Sequence, residues 1–248
     1  MHIGVDIGGT EIKAGLVDNG KILRYASAST LRSVSMIVDS IIKIIKELWQ
    51  DDVTSIGIGF PGVVHNGIVS GGGNLQWPSI DISKRIHAVF GVPVSVINDA
   101  HAFTKGARDF YLLDSFAGIT LGTGLGFGLV KDNMLIDVPE INKIPYKDAD
   151  FESYCSSHFF RDDPKKLLDF SKNGDLKALR IFEDFGMHLS HVLLHVHATY
   201  GVDTFVLGGS LCNAHEYFDA SLQQNLLLAK FQPKIIYTTK AFGILGAL

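Results

Sequence analysis

Gly4-Val5-Asp6-Ile7-Gly8-Gly9-Thr10-Glu11-Ile12-Lys13 decides how this chain is read, together with a second stretch, Thr120-Leu121-Gly122-Thr123-Gly124-Leu125-Gly126-Phe127-Gly128. Each is strand, tight glycine turn, strand. Glycines at such a turn remove side chains, so backbone N–H groups can close around an anion. Two such turns in one chain point to the two jaws of a nucleoside-triphosphate site. The second turn has a plain alternative, a structural hairpin. Its Gly122-x-Gly124 spacing also resembles a dinucleotide fingerprint, but that motif needs a helix after the turn. Here Phe127–Val130 continues as strand.

Working outward, residues Ile3–Val17 and Lys21–Ser27 alternate as a β-meander, with a second turn at Asn19-Gly20. Helical spacing of Met36, Ile37, Ile41, Ile44, Ile45 and Leu48 predicts a helix over Ser33–Leu48 with Ser33 as N-cap. Thr54–Phe60 reads as a strand, Ser83–Phe90 as a helix, Val92–Ile97 as a strand and Ala100–Arg108 as a helix. The pattern then restarts. A hairpin of Phe116–Leu121 and Phe127–Val130 precedes helices near Phe151–Phe160 and Leu176–Thr199. A strand Thr204–Leu207, a helix Glu216–Leu228, a strand near Lys234–Tyr237 and an apolar segment Ala241–Leu248 complete it. Two α/β lobes, 1–115 and 116–248, with a central cleft are expected, the last helix packing back on the first lobe.

Bulk properties bound the function. A chain of 248 residues can bury roughly 70–75% of its unfolded surface. A formal charge of −4 and the lack of a Lys/Arg cluster argue against a nucleic-acid partner. No apolar run approaches the ~20 residues of a membrane span. Met1 runs directly into a strand, with no charged then apolar leader, so a cytoplasmic protein is expected. Cys155 and Cys212 lie far apart and read as two reduced thiols.

Asp6 stands two positions before Gly8-Gly9, where it would repel phosphate unless a cation lay between them. It therefore fits a Mg²⁺–water contact, with turn capping as the alternative. Asn98-Asp99 falls at a strand end and a helix start, where Asp99 can accept a proton from a substrate hydroxyl or simply cap the helix. Asn74, in the loop Gly71–Pro78, suits vicinal sugar hydroxyls or is only a loop residue. His188, His191 and His195 share one helix face. Asp184 to His195 would span about 16 Å of helix, too far for one ion, so a polar surface stripe or subunit contact is expected there.

Assembled, these motifs resemble the ROK family of sugar kinases and repressors, within the actin-like and hexokinase-like ATPase superfamily. The resemblance runs nearly the whole chain in order: Asp6-Ile-Gly-Gly-Thr10 with Lys13, Gly59-Phe-Pro-Gly62, Asn74–Trp77, Asn98-Asp99-Ala100, Gly122-Thr-Gly124, Leu207-Gly-Gly-Ser210 and Gly243-Ile-Leu-Gly-Ala247. It implies a two-lobed actin-like/ribonuclease-H-like fold and ATP-dependent phosphorylation of a hexose or N-acetylhexosamine on a primary hydroxyl. Asp99 would be the general base. Asp6, Gly8, Gly9, Thr10, Lys13, Gly122, Thr123, Gly124, Gly208 and Gly209 would hold ATP, with Asp6 positioning Mg²⁺ through water. Asn74, Asn98, Asp99, Glu140 and Glu152 would hold the sugar. A homodimer is also implied.

The departures matter as much. Lys143 stands where the family has a zinc-binding, sugar-contacting histidine. The cysteine-rich zinc loop is missing, about eight residues leading straight to Glu152. No structural zinc is expected. Met1 is two residues from the first strand, so the DNA-binding extension of the repressor members is not expected. Two other readings stay open: a non-catalytic sugar sensor on the same fold, motivated by Lys143 and the missing loop, and a superfamily kinase for another small substrate.

Overall fold

The computed structural model describes residues 1–30, 33–65, 67–70 and 79–248. They form two compact units, Met1–Leu113 with Ala241–Leu248, and Asp114–Lys240.

In the first unit, strands β1 (His2–Ile7), β2 (Glu11–Asp18) and β3 (Lys21–Ser29) form an antiparallel meander. Helix α1 (Val34–Leu48) follows, then β4 (Ser55–Phe60), a small sheet of β5 (Val63–His65), β6 (Ile68–Ser70) and β7 (Ile80–Asp81), helix α2 (Ile82–Phe90), β8 (Val94–Asn98) and α3 (Asp99–Tyr111). The main sheet has the order β3-β2-β1-β4-β8, with β1, β4 and β8 parallel. Its meander turns where the sequence predicts it, since Asn19 and Gly20 both take positive φ (48° and 72°) and so match the twist of a two-residue hairpin. Ser33 caps α1 by accepting from the Met36 N–H. One face of the sheet buries Ile37, Ile41, Ile44 and Ile45 of α1 against Ile3, Val5, Ile12 and Leu16.

The second unit repeats that topology. Strands β9 (Phe116–Leu121), β10 (Leu125–Lys131) and β11 (Met134–Ile136) are its meander. Next come a two-residue-turn hairpin of β12 (Pro145–Tyr146) and β13 (Ala149–Asp150), the short helix α4 (Phe151–Cys155), a 3₁₀ turn at Ser157–Phe159, and helices α5 (Pro164–Lys172) and α6 (Leu176–Tyr200). Strand β14 (Thr204–Gly208), a 3₁₀ turn at Ser210–Ala214, helix α7 (His215–Leu228) and strand β15 (Lys234–Tyr237) finish the unit. The sheet order is β11-β10-β9-β14-β15. Phe182, Phe185 and Leu189 of α6 pack on Phe205 of the sheet and Phe218 of α7. The Phe185 and Phe218 rings meet edge to face at 5.2 Å.

Helix α8 (Phe242–Gly246) returns to the first unit and packs on α3 and on β1, β2 and β4. Two helices differ from the sequence reading, which also lacked the short strands β5–β7, β12 and β13. The expected helix over 151–160 stops at Cys155, because Ser156 is extended (φ −132°, ψ −172°) and Ser157 gives its N–H to the distant Gly122 carbonyl. Helix α5 was not anticipated, although Asp163 caps it and Pro164 starts it. Among the described residues no helix is long and apolar enough to cross a membrane.

Candidate active site

The first unit brings its predicted residues to one edge of the sheet. Register places Asp6 opposite Gly59, and Gly59 opposite Ile97, so three parallel strands end in one row. At ~4.8 Å per strand, Asp6 and Ile97 lie roughly 10 Å apart. Asn98 closes β8 and Asp99 opens α3 immediately beyond that row. The Asn98 side-chain oxygen accepts from the Ala100 (2.9 Å) and His101 (3.1 Å) N–H groups, and its Nδ2 donates to the Gly62 carbonyl (3.1 Å). Asn98 is therefore the N-cap of α3. Asp99 is partly accessible, and its Oδ1 accepts from the Ala100 N–H at 2.9 Å.

The first glycine turn is laced at its base. Gly8 N–H donates to the Glu11 carbonyl (2.9 Å), Thr30 Oγ1 to the Gly8 carbonyl (2.7 Å) and Thr30 N–H to the Thr10 carbonyl (3.0 Å). Gly9 and Thr10 are exposed at its tip. Sequence reasoning missed Thr30, which lies two strands from the turn and carries no motif. Thr30→Val should cost about 1 kcal/mol, the worth of one such bond, read as a lower denaturant midpoint.

Asp6 is partly accessible, yet burial of its surroundings pushes the carboxyl up to about 6, against the pull of Lys13 directly across on β2. Lys13 is half-exposed and lies 3.8 Å from Glu11. A Cβ on Gly243 would overlap the Asp6 carboxylate, so α8 can approach it only because that position is glycine.

The second unit gathers its glycines in the same way. Gly122 N–H donates to the Gly124 carbonyl at 3.1 Å, and the Gly122 carbonyl accepts from Ser157 N–H at 2.8 Å. Thr123 is exposed between them. Gly208 pairs with Thr120 across parallel strands, which sets Gly208-Gly209 beside the turn. Gly209 has φ of 92°, and a Cβ there would overlap the Leu121 backbone.

Glu152 also reaches this turn. It is 8% exposed, its Oε2 accepting from Leu125 N–H (3.3 Å) and its Oε1 from Lys143 Nζ (2.8 Å). Glu140 is exposed. Asn74 lies outside the described residues.

The histidine face is only in part the surface stripe expected from spacing: His191 is exposed and His195 partly accessible, whereas His188 is not. His188 is buried, its Nδ1 lies 3.1 Å from the Tyr146 hydroxyl, and burial lowers its pKa to about 4. Tyr146 reaches it because β12 and β13 fold onto α6, and its ring also meets that of His191. Among the described residues no three His, Cys, Asp or Glu side chains are placed to hold a metal. Cys155 is buried, which pushes its thiol far up.

A family model described as the ROK family matches residues 2–138. This chain belongs to the ROK family. The glucokinase of Streptomyces coelicolor is 36% identical over 142 residues, covering 54% of this chain and 45% of that one. The N-acetylmannosamine kinase of Haemophilus influenzae is 29% identical over 146 residues, covering 54% and 47%. Less than half of either relative's length is thus matched. The structure of a ROK family glucokinase from Streptomyces griseus, in complex with glucose and AMPPNP, superposes with a TM-score of 0.89 over 99% of this chain and 97% of that one, at 24% identity. The fold is the actin-like, hexokinase-like fold of ROK kinases.

Proposed function

We propose that this ROK protein transfers the γ-phosphoryl group of ATP to the primary hydroxyl of a hexose or N-acetylhexosamine. The observation that carries this reading is the row at the sheet edge, where Asp6, Gly59 and Ile97 stand one residue before the carboxyl ends of parallel strands and Asp99 opens the next helix. Functional groups of α/β sheets collect at the carboxyl ends of parallel strands. Family membership and the names of the kinase relatives support the same reading.

In this scheme Asp99 takes the proton of the sugar hydroxyl while its oxygen bonds to the γ-phosphorus. The bond from that phosphorus to the bridging oxygen breaks, leaving ADP and a sugar phosphate. Gly8, Gly9, Thr10 and Lys13 bind the γ-phosphoryl end. Gly122, Thr123 and Gly124 bind the β-phosphate, and Gly208 and Gly209 leave room for the adenosine. Glu152, Asn98, Glu140 and Asn74 hold sugar hydroxyls. Mg²⁺ supplies charge neutralisation on the phosphates. Asp6 fits a hydrated divalent ion, because a carboxylate in desolvating surroundings with one half-exposed lysine opposite is short of positive charge. Lys143, where the resemblance expects a zinc-binding histidine, is a cation and offers a zinc ion no donor.

The test is ADP release with Mg²⁺-ATP across a panel of hexoses and N-acetylhexosamines. Release that depends on one sugar is the expected result. Silence across the panel, with sugar binding still seen as a thermal shift, would replace the kinase by a sensor.

A further inference from the structure

Lys143 stands at a junction that the kinase scheme leaves without a role. Its ammonium lies 2.8 Å from Glu152 Oε1 and 3.4 Å from Asp150 Oδ2. Asp150 is the N-cap of α4, its Oδ1 accepting from Ser153 N–H (2.8 Å) and Oγ (2.6 Å). The backbone on either side is zipped together: Glu152 N–H donates to the Asn142 carbonyl (2.9 Å), and Phe151 N–H to the Ile144 carbonyl (3.1 Å). One cation thus joins the segment before the β12–β13 hairpin to the first turn of α4. From there the connection runs to the second glycine turn. Glu152 Oε2 accepts from Leu125 N–H at one end, and Ser157 N–H donates to the Gly122 carbonyl at the other. A Cβ on Gly124 would come within 2.8 Å of Glu152 Oε2, so the carboxylate rests directly on the turn.

A carboxylate this well buried is costly unless it is paired. Leu125 N–H is one long bond, so the Lys143 ammonium is the charge that holds the Glu152 carboxylate in place.

We propose that Lys143 is a positioning residue for the nucleotide: through Glu152 its ammonium fixes the Gly122–Leu125 turn. This rests on the kinase reading for its consequence, but the ion pair can be tested without any turnover.

The first measurement is thermal unfolding of wild type, Lys143→Met, Lys143→Arg and the double variant Lys143→Met/Glu152→Gln at neutral pH. Removing the ammonium leaves Glu152 buried without its charge partner, and removing the carboxylate as well relieves that cost. Lys143→Met should therefore lose several degrees of Tm, and adding Glu152→Gln should recover most of that loss. No loss in Lys143→Met, or a loss unrelieved by Glu152→Gln, would overturn the pairing.

The second measurement is the affinity for Mg²⁺-AMPPNP by calorimetry. Lys143→Met should weaken it about tenfold, in the range seen when an outer partner of a site residue is removed, and Lys143→Arg should stay within about twofold. Where Lys143→Met does not fold, Glu152→Gln carries the test and should weaken binding by a similar factor. Unchanged affinity in a folded variant would leave Lys143 a structural staple and overturn the positioning role alone. Wild type that binds no nucleotide would overturn the kinase reading and the positioning role with it.

Discussion

Asp99→Asn is expected to cut kcat by about a thousandfold, within the range of general-base contributions, while leaving Mg²⁺-nucleotide affinity within about twofold. The substitution is clean because the two jobs at the start of α3 are divided. Asn98 supplies the cap, its side-chain oxygen taking the Ala100 and His101 N–H groups. Asp99 adds one more bond to Ala100 and the only acidic charge of the first turn. An asparagine keeps the shape and an acceptor oxygen. The favourable interaction of that charge with the helix dipole is lost, about 0.3–1 kcal/mol at an exposed site. A fall in kcat with little change in sugar KM would mark a group acting chiefly in the transition state. Turnover near wild type in single-turnover and steady-state assays would remove Asp99 from the mechanism. Asp99→Ala is the poorer experiment, since it also deletes the acceptor.

The parts legible in the sequence are those fixed by local chemistry. Asn19-Gly20 announces a hairpin because both residues tolerate positive φ, and Ser33 announces a helix because its hydroxyl can take an orphan N–H. The apolar period of α6 runs from Leu176 to Tyr200 between an Asp175 cap and a Gly201 stop. What the sequence hides is every feature made by distant residues. Ser156 turns out of the helix so that Ser157 can reach Gly122, some thirty-five residues back, and nothing local to Ser156 signals that. Lys143 and Glu152 are nine residues apart with no shared period, and a hairpin between them brings them together. Spacing alone puts His188 on a polar stripe, but the rings of Tyr146, Tyr154 and Phe159 close over it. The site follows the same division. Its glycine turns and Asn98-Asp99 are visible as motifs, whereas the alignment of Asp6 with Gly59 and Ile97 depends on the register of three parallel strands.

Asp6→Asn should separate stability from function in opposite directions. The Asp6 carboxyl has a folded pKa of about 6 against an ordinary value of 3.8, raised by desolvation and held back in part by Lys13. The native state therefore holds its proton more tightly than the unfolded chain does. Below about pH 4 both states are protonated and the residue is neutral in effect. As pH rises through 6 the native carboxyl must ionise in poorly solvated surroundings, and stability falls by up to about 2–3 kcal/mol, at about 1.4 kcal/mol per pH unit of displacement. Asparagine never ionises. The variant should match wild type near pH 4 and exceed it at pH 8 by several degrees in Tm, read by calorimetry across that pH series. Added Mg²⁺-nucleotide should narrow the gap by stabilising wild type more than the variant, because only the carboxylate attracts the hydrated cation. Turnover should move the other way and fall at least a hundredfold at pH 8, a loss comparable to removing other charge-stabilising groups at reaction centres. A strained or poorly solvated charge at a working site carries this exchange as a rule. Equal stability of the two proteins at pH 8 would mean that Asp6 is already well compensated, and the argument that it is short of positive charge would fall with it.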